Sequence, residues 1–386
     1  MRIAVFHNRY AQRGGEDRAV DFEVECLRKA GHEVHTFLAD SRSLGGLGDA
    51  LQAGWRAGYR PDVAREVDAF LAAHPVDVGH VHNFFPLLSP AVHTALRGRE
   101  LPVVQTLHNY RLVCANGLFL RDGSPCEDCV SRGPWNAVRH GCYRGSRLQT
   151  MAWARATSEQ RARGLWTHLV DRFVAPSAFL RDKLVAAGLP RERFVVKPNA
   201  VNDPGEPGFG GSGAVFVGRL SPEKGAGLLL EAWKRLEGAP LTIVGAGPEE
   251  AELRRAAGRL PNVRFTGELS AEGVRAELAS AAFAVVPSLW YENFPLVVAE
   301  AFAAGRPVVA ARPTAVSDLV QDGATGLHFE RGDAAGLAAA CRWLAGDREL
   351  CERLGREARA HYAEELTPRR CAERLVEIYS EAGSSA

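Results

Sequence analysis

The sequence predicts an α/β protein with two doubly wound domains, each built around a parallel sheet. Short apolar strands alternate with amphipathic helices along most of the chain, and such strands form parallel sheets with helices on both faces. This alternation stops at residues 202–213 and then restarts, and 386 residues are enough for two hydrophobic cores. Because open α/β sheets bind ligands at the carboxyl ends of their strands, we expect the two domains to face a central cleft.

The first domain is predicted to span residues 1–201. Amphipathic runs predict helices at residues 18–30, 63–73 and 177–187, the first of them ending at Gly31. Apolar runs predict strands at residues 3–6, 34–37, 76–81, 103–107, 173–175 and 194–196.

Residues 202–213 are rich in glycine and proline and have little capacity to pack, so they are predicted to link the domains. The second domain is predicted to span residues 214–368, and a last helix in 369–386 could cross back to the first domain. The second domain's predicted strands are 214–217, 241–244, 263–266, 282–287 and 308–311, and its predicted helices are 225–236, 249–258, 271–279 and 296–304.

Composition favours a cytoplasmic protein, with peripheral membrane contact left open. The net charge of +1 gives no overall field for nucleic acid. The N-terminus runs directly into a strand pattern and lacks the apolar core of a signal peptide. The best candidate for a membrane span, residues 294–311, is interrupted by Glu300 and Arg306.

Two cations and two carboxylates follow predicted strands of the second domain. Arg219 and Lys224 flank a turn that contains Gly218 and Gly225, and two cations can hold a diphosphate. Glu292 and Glu300 are eight residues apart at the start of a predicted helix, where carboxylates can accept hydrogen bonds from vicinal hydroxyls. Taken alone, Arg219 and Lys224 could be ordinary charges of a surface loop, and Glu292 and Glu300 could be a helix cap and a solvated helical charge. The conjunction predicts a site for a sugar on a nucleotide diphosphate.

Neighbouring turns could complete this site. Gly218 and Gly225 would let backbone approach a phosphate closely. The turn with Gly245 and Gly247 could line the nucleotide base or be a simple strand–helix turn, and the same two interpretations apply to Gly267 and Leu269 after the next strand. Pro295 suits the first position of helix 296–304, whose free amides favour an anion.

An ordered series of motifs in residues 214–330 resembles the donor domain of the retaining GT-B glycosyltransferases of glycosyltransferase family 4. These enzymes have two Rossmann-like domains that face a central cleft. The series reads Gly218-Arg219-Leu220, Lys224-Gly225, Val244-Gly245-Ala246-Gly247-Pro248, Pro287-Ser288, Glu292-Asn293-Phe294-Pro295 and Glu300-Ala301. Weaker resemblances are Gly14-Gly15 to a glycine-rich loop, His108 to a cleft histidine, and Lys197-Pro198-Asn199 to the segment before the linker.

The resemblance implies a role for each matched residue. Arg219 and Lys224 would hold the donor diphosphate, Glu300 the ribose hydroxyls and Glu292 the hydroxyls of the sugar ring, and His108 would lie near the transferred sugar. Backbone amides of Asn293, Phe294 and Leu296 would assist. The family retains the anomeric configuration, commonly without a protein nucleophile or a catalytic metal. Its members use UDP, GDP, ADP or dTDP donors, of which UDP and GDP are expected first.

The sequence departs from the family pattern at two positions. The family commonly has glycine where Pro295 and Ala200 stand, and Pro295 removes one amide that could contact phosphate. On the acceptor side, His82-Asn83 follows strand 76–81 and His108-Asn109 follows strand 103–107, so all four are candidates to line the cleft. His80, in contrast, is expected to be structural.

Four cysteines form a second distinctive pattern within an insertion at about residues 111–145. Cys114, Cys126, Cys129 and Cys142 are spaced C-x11-C-x2-C-x12-C, which is typical of ligands to a structural Zn²⁺. Few core residues lie between them, so a metal would supply order. Free thiols, two disulfides and an iron–sulfur cluster are the alternatives.

Residues 132–183 are rich in arginine, with Trp135, Trp153 and Trp166 interleaved. This segment could meet a lipid-phosphate acceptor or an anionic membrane surface, or it could be a solvated helix face.

The sequence therefore predicts a retaining glycosyltransferase that moves a hexose-like sugar from a nucleotide diphosphate to a glycan, lipid-linked or small-molecule acceptor. A sugar-nucleotide epimerase or a phosphorylase on the same fold is the alternative among enzymes. A non-catalytic two-lobed sugar-binding protein is the alternative of another class. A nucleic-acid reader built on the cysteine module lacks a basic domain to support it.

Overall fold

The computed structural model describes residues 1–10, 14–41, 58–236, 238–258 and 260–384. The chain divides into two compact units. The first consists of Met1–Arg121, Cys126–Pro198 and Pro368–Ala386, and the second of Asp122–Pro125 and Asn199–Thr367.

The first unit contains a parallel sheet of six strands in the order β2-β1-β3-β4-β7-β8. Its central strands are buried along their whole length, as expected of a sheet covered by helices on both faces. The strands of the sheet are β1 (Arg2–Arg9), β2 (Glu33–Asp40), β3 (Val78–Val81), β4 (Val103–Thr106), β7 (Arg172–Ala175) and β8 (Phe194–Val196).

Helices of the first unit follow the strands and include the C-terminal helix. They are Gly15–Lys29, Pro61–Ala73, Ala91–Arg97, Asp128–Arg132, Asn136–His140, Arg147–Ala162, Leu165–His168, Ala178–Ala186 and Pro368–Gly383. Two short strands, β5 (Leu120–Arg121) and β6 (Ser124–Pro125), lie in the cysteine-containing segment.

The second unit contains a parallel sheet in the order β11-β10-β9-β12-β13-β14, buried on both faces by two apolar clusters. Its strands are β9 (Ala214–Val217), β10 (Leu241–Val244), β11 (Val263–Gly267), β12 (Phe283–Val286), β13 (Val308–Arg312) and β14 (Gly326–Glu330). Its helices are Ala226–Trp233, Glu250–Ala257, Ala271–Ser280, Leu296–Ala303, Val316–Leu319, Ala334–Gly346 and Arg348–Glu365.

Strand order reverses at one point in each sheet. In the first unit β1 lies between β2 and β3, and in the second unit β9 lies between β10 and β12. Doubly wound sheets bind ligands beside the carboxyl ends of the strands at such a point. Ligand-binding residues are therefore expected in the loops after β1 and β3 of the first unit, and in the loops after β9 and β12 of the second.

Several predicted boundaries were wrong. The helix predicted at 18–30 begins at Gly15, because Asp17 accepts a hydrogen bond from the Gly14 N–H and caps the first turn. The helix predicted at 225–236 is confined to Ala226–Trp233. Strand β14 and the two long helices after it were not predicted.

No helix within the described residues is both long enough and apolar enough to cross a membrane.

Candidate functional site

In the second unit, the loops that follow β9 and β12 are joined by an ion pair. Lys224 lies at the end of the short helical turn Pro222–Lys224, and its Nζ is 2.6 Å from Glu292 Oε1. The same carboxylate oxygen accepts a hydrogen bond from Ser288 Oγ at 2.7 Å. The Glu292 side chain is only 4% exposed, so these two partners take the place of water around its carboxylate. The structure thus brings together one predicted cation and one predicted carboxylate at the point where strand order reverses.

Glycines allow these loops to pack closely. Gly225 has a φ of +74°, and a Cβ there would lie 2.0 Å from the carbonyl oxygen of Pro287. Gly245 has a φ of +134°, and a Cβ there would lie 2.0 Å from the carbonyl oxygen of Gly218. Both glycines therefore let backbone pack on backbone. The sequence suggested close approach to a phosphate at Gly225, and lining of the nucleotide base or a simple turn at Gly245.

Two buried polar atoms in the loop after β12 have no hydrogen-bond partner within the described part of the chain. They are Trp290 Nε1 and Asn293 Oδ1. Buried polar groups are nearly always paired, and an exception asks for a partner such as a ligand or ordered water. Both atoms lie within three residues of Glu292, on a loop that the sequence predicted to bind the donor.

The remaining donor-side candidates occupy varied environments. Arg219 is exposed in the loop after β9, and Glu300 is half-buried in helix Leu296–Ala303. Pro295 is the N-cap of that helix, whereas the sequence predicted it to be the first helical residue.

The other donor-side candidates lie in the core or in glycine-containing turns. Phe294 is buried in the core, and Leu269 and Leu296 pack against the same core. Gly218, Gly247 and Gly267 lie in or beside the loops that follow β9, β10 and β11.

In the first unit, the acceptor-side candidates line one small cavity of about 40 Å³. His82 and Asn83 follow β3, and His108 and Asn109 follow β4. His82 Nδ1 lies 2.9 Å from His108 Nε2, and the two rings are nearly parallel. Glu16 and Arg111, which the sequence analysis missed, also line this cavity. Their positions gave a usable signal, because Glu16 follows Gly14-Gly15 and Arg111 follows His108-Asn109.

Asn83 holds the end of β1 against the end of β3. Its Nδ2 donates to the carbonyl oxygen of Asn8 at 2.8 Å, and its Oδ1 accepts from the Phe85 N–H at 3.0 Å. The side chain is therefore committed to the backbone. Gly14 and Gly15 lie at the N-terminus of helix Gly15–Lys29, beside this edge of the sheet.

Glu16 is the carboxyl group of the cavity. It accepts hydrogen bonds from Tyr10 Oη at 3.0 Å and from Asn109 Nδ2 at 3.2 Å. Removal from water raises the pKa of Glu16 to about 7, although its hydrogen bond from Tyr10 and the Arg111 charge oppose the shift. Near neutral pH this group can therefore exist in either protonation state.

The histidines below the cavity are neutral. Burial lowers the pKa of His80 to about 4 and that of His108 to about 3, and it lowers the pKa of His82 well below its ordinary value. His80 is held by Tyr379 Oη at 2.8 Å and by Thr106 Oγ1 at 2.7 Å, so both of its ring nitrogens are engaged in the core.

The four cysteines of the insertion are in the thiol form and lie near one another. Burial, and then the proximity of Cys114, Cys142 and Cys126, raises the pKa of Cys129 to about 12. No three of these sulfur atoms all lie within 4.8 Å of one another. Arg161 interacts electrostatically with Cys129, and its buried Nη2 has no hydrogen-bond partner among the described residues.

The chain matches two family models. One is described as "Glycosyl transferases group 1" and covers residues 211–347, and the other is described as "Glycosyltransferase Family 4" and covers residues 13–203.

Named relatives are similar to all or part of the chain. The alpha-D-kanosaminyltransferase of Streptomyces kanamyceticus is 30% identical over 342 residues, 85% of this chain and 81% of the relative. The sulfoquinovosyl transferase SQD2 of Arabidopsis thaliana is 36% identical over 148 residues, 38% of this chain. The chain spans 29% of SQD2, 48% of the phosphatidyl-myo-inositol mannosyltransferase of Mycobacterium leprae and 43% of a glycogen synthase of Mycobacterium tuberculosis.

A solved structure shows the same fold. The Anabaena protein Alr3699/HepE, crystallised with UDP and glucose, has a TM-score of 0.69 and 18% sequence identity. The likeness covers 98% of this chain and 99% of the Anabaena protein.

Proposed function

Because the chain belongs to the group 1 and family 4 glycosyltransferases, we propose that it transfers a sugar from a nucleotide-diphosphate donor to an acceptor. The observation that carries this proposal is the contact between Lys224 and Glu292 where the strand order of the second sheet reverses. A cation for the diphosphate and a carboxylate for sugar hydroxyls are thus held side by side.

The donor is proposed to bind over the loops that follow β9 and β12. Arg219 is exposed and can turn toward a diphosphate, and Lys224 adds a second positive charge. Trp290 Nε1 and Asn293 Oδ1 offer a donor and an acceptor that have no partner among the residues the structure describes. Glu300 lies in the helix that begins after Pro295, where its carboxylate can accept hydrogen bonds from the ribose hydroxyls.

Transfer is proposed to retain the anomeric configuration. The bond between the anomeric carbon and the diphosphate oxygen breaks, and the acceptor oxygen bonds to the same face of that carbon. The acceptor hydroxyl proton passes to the departing diphosphate. Negative charge grows on the diphosphate during this step, so fixed cations and free helix amides are the groups that lower the barrier.

Nucleotide binding tests the donor site directly. UDP, GDP, ADP and dTDP are titrated into the protein by calorimetry, and we expect one of them, UDP or GDP first, to bind in the micromolar range. Glu300→Ala should weaken that binding by roughly 1–3 kcal/mol because it removes a hydrogen-bonded carboxylate. The matched control is Glu272→Ala, which removes a carboxylate whose side chain is 85% exposed. Absence of binding by all four nucleotides, or equal affinity in the two variants, would contradict the proposed site.

The cysteine insertion is proposed to hold a structural Zn²⁺ through Cys114, Cys126, Cys129 and Cys142. Four neighbouring thiols suit this ion, which binds thiolates in structural sites, and its binding would draw the four sulfurs closer together than they lie here. Arg161 Nη2, which has no partner within the described part of the chain, fits the same interpretation, because a zinc tetrathiolate is negative and would balance a buried guanidinium. Bound zinc would supply order to the segment that follows His108-Asn109. It has no part in the transfer step.

Metal analysis tests the zinc proposal. We expect the purified protein to contain about one zinc per chain, and Cys126→Ser to lose most of it while chelation lowers the melting temperature. Cys351→Ser is the matched control. It changes a buried thiol of the second unit that donates to the Ala282 carbonyl oxygen, a contact that serine can also make. Zinc absent from the unmodified protein, or retained in full by Cys126→Ser, would refute the proposal.

The acceptor is proposed to bind at the cavity of the first unit, and its identity is open. Near it in sequence, arginines are exposed at positions 132, 139, 144 and 147, and no acidic residue occurs from 129 to 158. Trp135 and Leu148 are also exposed in this segment, whereas Trp153 and Trp166 are buried and belong to the core. Such a segment suits an anionic acceptor or anionic lipid headgroups.

A further inference from the structure

A buried ion pair lies in the core of the first unit. Glu23, on helix Gly15–Lys29, and Lys197, directly after β8, are joined at 2.8 Å, and their side chains are 4% and 3% exposed. Taking two charges out of water costs several kcal/mol for each ion, and an apolar pair often packs as well. Stability alone therefore gives a weak reason for this pair.

The ion pair connects to the candidate cavity through one histidine. The second oxygen of Glu23, Oε2, lies 3.8 Å from His82 Nε2. The other nitrogen of His82, Nδ1, lies 2.9 Å from His108 Nε2. Buried polar groups thus lead from Lys197 through Glu23 and His82 to His108, which lines the cavity. The step from Glu23 to His82 is longer than a hydrogen bond, so the carboxylate acts on this ring through its charge.

The charge of Glu23 selects the tautomer of both imidazoles. A carboxylate beside His82 Nε2 favours the proton on that nitrogen, so Nδ1 carries a lone pair and accepts a hydrogen bond. His108 Nε2 must then be the donor, which leaves the lone pair of His108 on Nδ1. His80 does not compete for Glu23 as a donor, because its two nitrogens face Tyr379 and Thr106.

Lys197 keeps Glu23 ionised. Burial alone would raise the pKa of Glu23, but the ammonium group of Lys197 more than compensates, and the pKa is held below its ordinary value. Glu23, His80 and His82 also have the spacing of a possible metal site. The Lys197 ammonium pairs with this carboxylate, and both His80 nitrogens are engaged by Tyr379 and Thr106, so His80 has no ring nitrogen left for a metal ion.

We propose that Glu23 and Lys197 are positioning residues that fix His108 with an unprotonated Nδ1, ready to accept a hydrogen bond from a hydroxyl of the bound sugar or acceptor. This inference rests on the proposed glycosyltransferase function for its purpose. Its structural content, the fixed tautomer of His108, does not depend on that function.

The tautomer can be measured without any substrate. Long-range proton–nitrogen correlation spectra of protein labelled with nitrogen-15 in histidine distinguish protonated from unprotonated ring nitrogens, and His108→Gln assigns the signal. We expect a single Nε2-protonated state of His108 in the unmodified protein and a mixture of tautomers in the double variant Glu23→Gln/Lys197→Met. The double variant removes both charges, so it avoids the unpaired buried ion that each single change would leave. Unchanged His108 signals in a folded double variant would overturn the proposal.

Turnover gives a second readout. In the double variant we expect kcat to fall by about tenfold with the donor KM nearly unchanged, because a misdirected hydrogen bond matters most in the transition state. The matched control is Asp171→Asn, which neutralises a buried carboxylate paired with Arg97 in the same unit. If Asp171→Asn also shifts the His108 tautomer, or lowers kcat as much as the double variant does, then general loosening of the unit's packing explains both effects and the proposal is wrong. Failure of the proposed function would remove the turnover result and leave the spectroscopic result intact.

Discussion

Arg219→Ala is expected to lower kcat by roughly hundredfold to thousandfold while leaving the free energy of unfolding nearly unchanged. Arg219 is exposed, so its loss uncovers no core and strands no buried partner. Its guanidinium is proposed to meet charge that grows on the departing diphosphate, and removal of such a fixed charge is felt chiefly in the transition state. The measurement is release of nucleoside diphosphate from the donor identified by calorimetry, beside urea unfolding of the same variant.

The controls for this prediction differ in charge and in place. Arg219→Lys keeps the charge but loses the planar fork, so we expect an intermediate kcat. Arg275→Ala removes an exposed arginine that pairs with Glu272 and should leave kcat unchanged. Arg219→Ala with unaltered kcat would remove this residue from the diphosphate site.

Lys224 differs from Arg219 because of what it touches. Its ammonium group is the partner of Glu292, whose carboxylate is buried. Lys224→Ala should therefore lower both kcat and the free energy of unfolding, the latter by about 1–3 kcal/mol, since among the described residues it leaves the buried carboxylate with Ser288 alone as a side-chain donor. The sequence pattern placed Arg219 and Lys224 together as one diphosphate clamp, and only contacts in the folded chain separate their energetic roles.

The fold class and family were predictable because they depend on periodicity and on ordered motifs. The fold prediction is confirmed by two six-stranded parallel sheets, and the family by the matches over residues 13–203 and 211–347. Helix ends were less predictable because capping depends on single side chains, as Asp17 shows at Gly14. Strand β14 escaped because it lies at the sheet edge and reads Gly-Leu-His-Phe-Glu, with only two strongly apolar residues.

The polar core of the first unit could not be read from the sequence. Glu23 lies in an amphipathic helix pattern, where a glutamate is ordinarily a solvated charge. Lys197 was noticed only as part of a motif before the linker. The two residues are 174 positions apart in the sequence, and they come into contact because β8 pairs with β7 in the sheet. Contacts of this kind depend on topology, and no local pattern encodes them.

The same buried polar core makes the first unit sensitive to acid. His80, His93 and His108 have pKa values lowered by burial to about 4, about 4 and about 3, against an ordinary value of 6.5, and the pKa of His82 is also lowered. In the unfolded chain these groups take up protons below their ordinary pKa, but in the folded chain they resist protonation. The unfolded state therefore binds more protons as the pH falls from about 6.5 toward 4, and stability is lost over that window.

The expected loss is large compared with the stability of an ordinary domain. At about pH 5, His80, His93 and His108 each lower the free energy of unfolding by roughly 2 kcal/mol, and His82 acts in the same direction. Glu16 has the opposite effect, because its pKa is raised to about 7 in the folded chain. Its protonation as the pH falls to about 5 therefore raises the free energy of unfolding by roughly 2 kcal/mol. A net loss of about 4 kcal/mol or more is a substantial part of the 5–15 kcal/mol that typically holds a domain folded.

Urea unfolding at about pH 7.5 and about pH 5, followed by circular dichroism, measures this loss. His93→Gln should reduce the pH dependence by roughly 2 kcal/mol, because the amide cannot take up a proton and can still donate to Gln105, as His93 Nε2 does now at 2.6 Å. His140→Gln changes an exposed histidine and should leave the pH dependence as it was. Equal free energies of unfolding at the two pH values would mean that the buried histidines gain compensating contacts when protonated, and the neutral, tautomer-fixed core proposed for His82 and His108 would then be wrong.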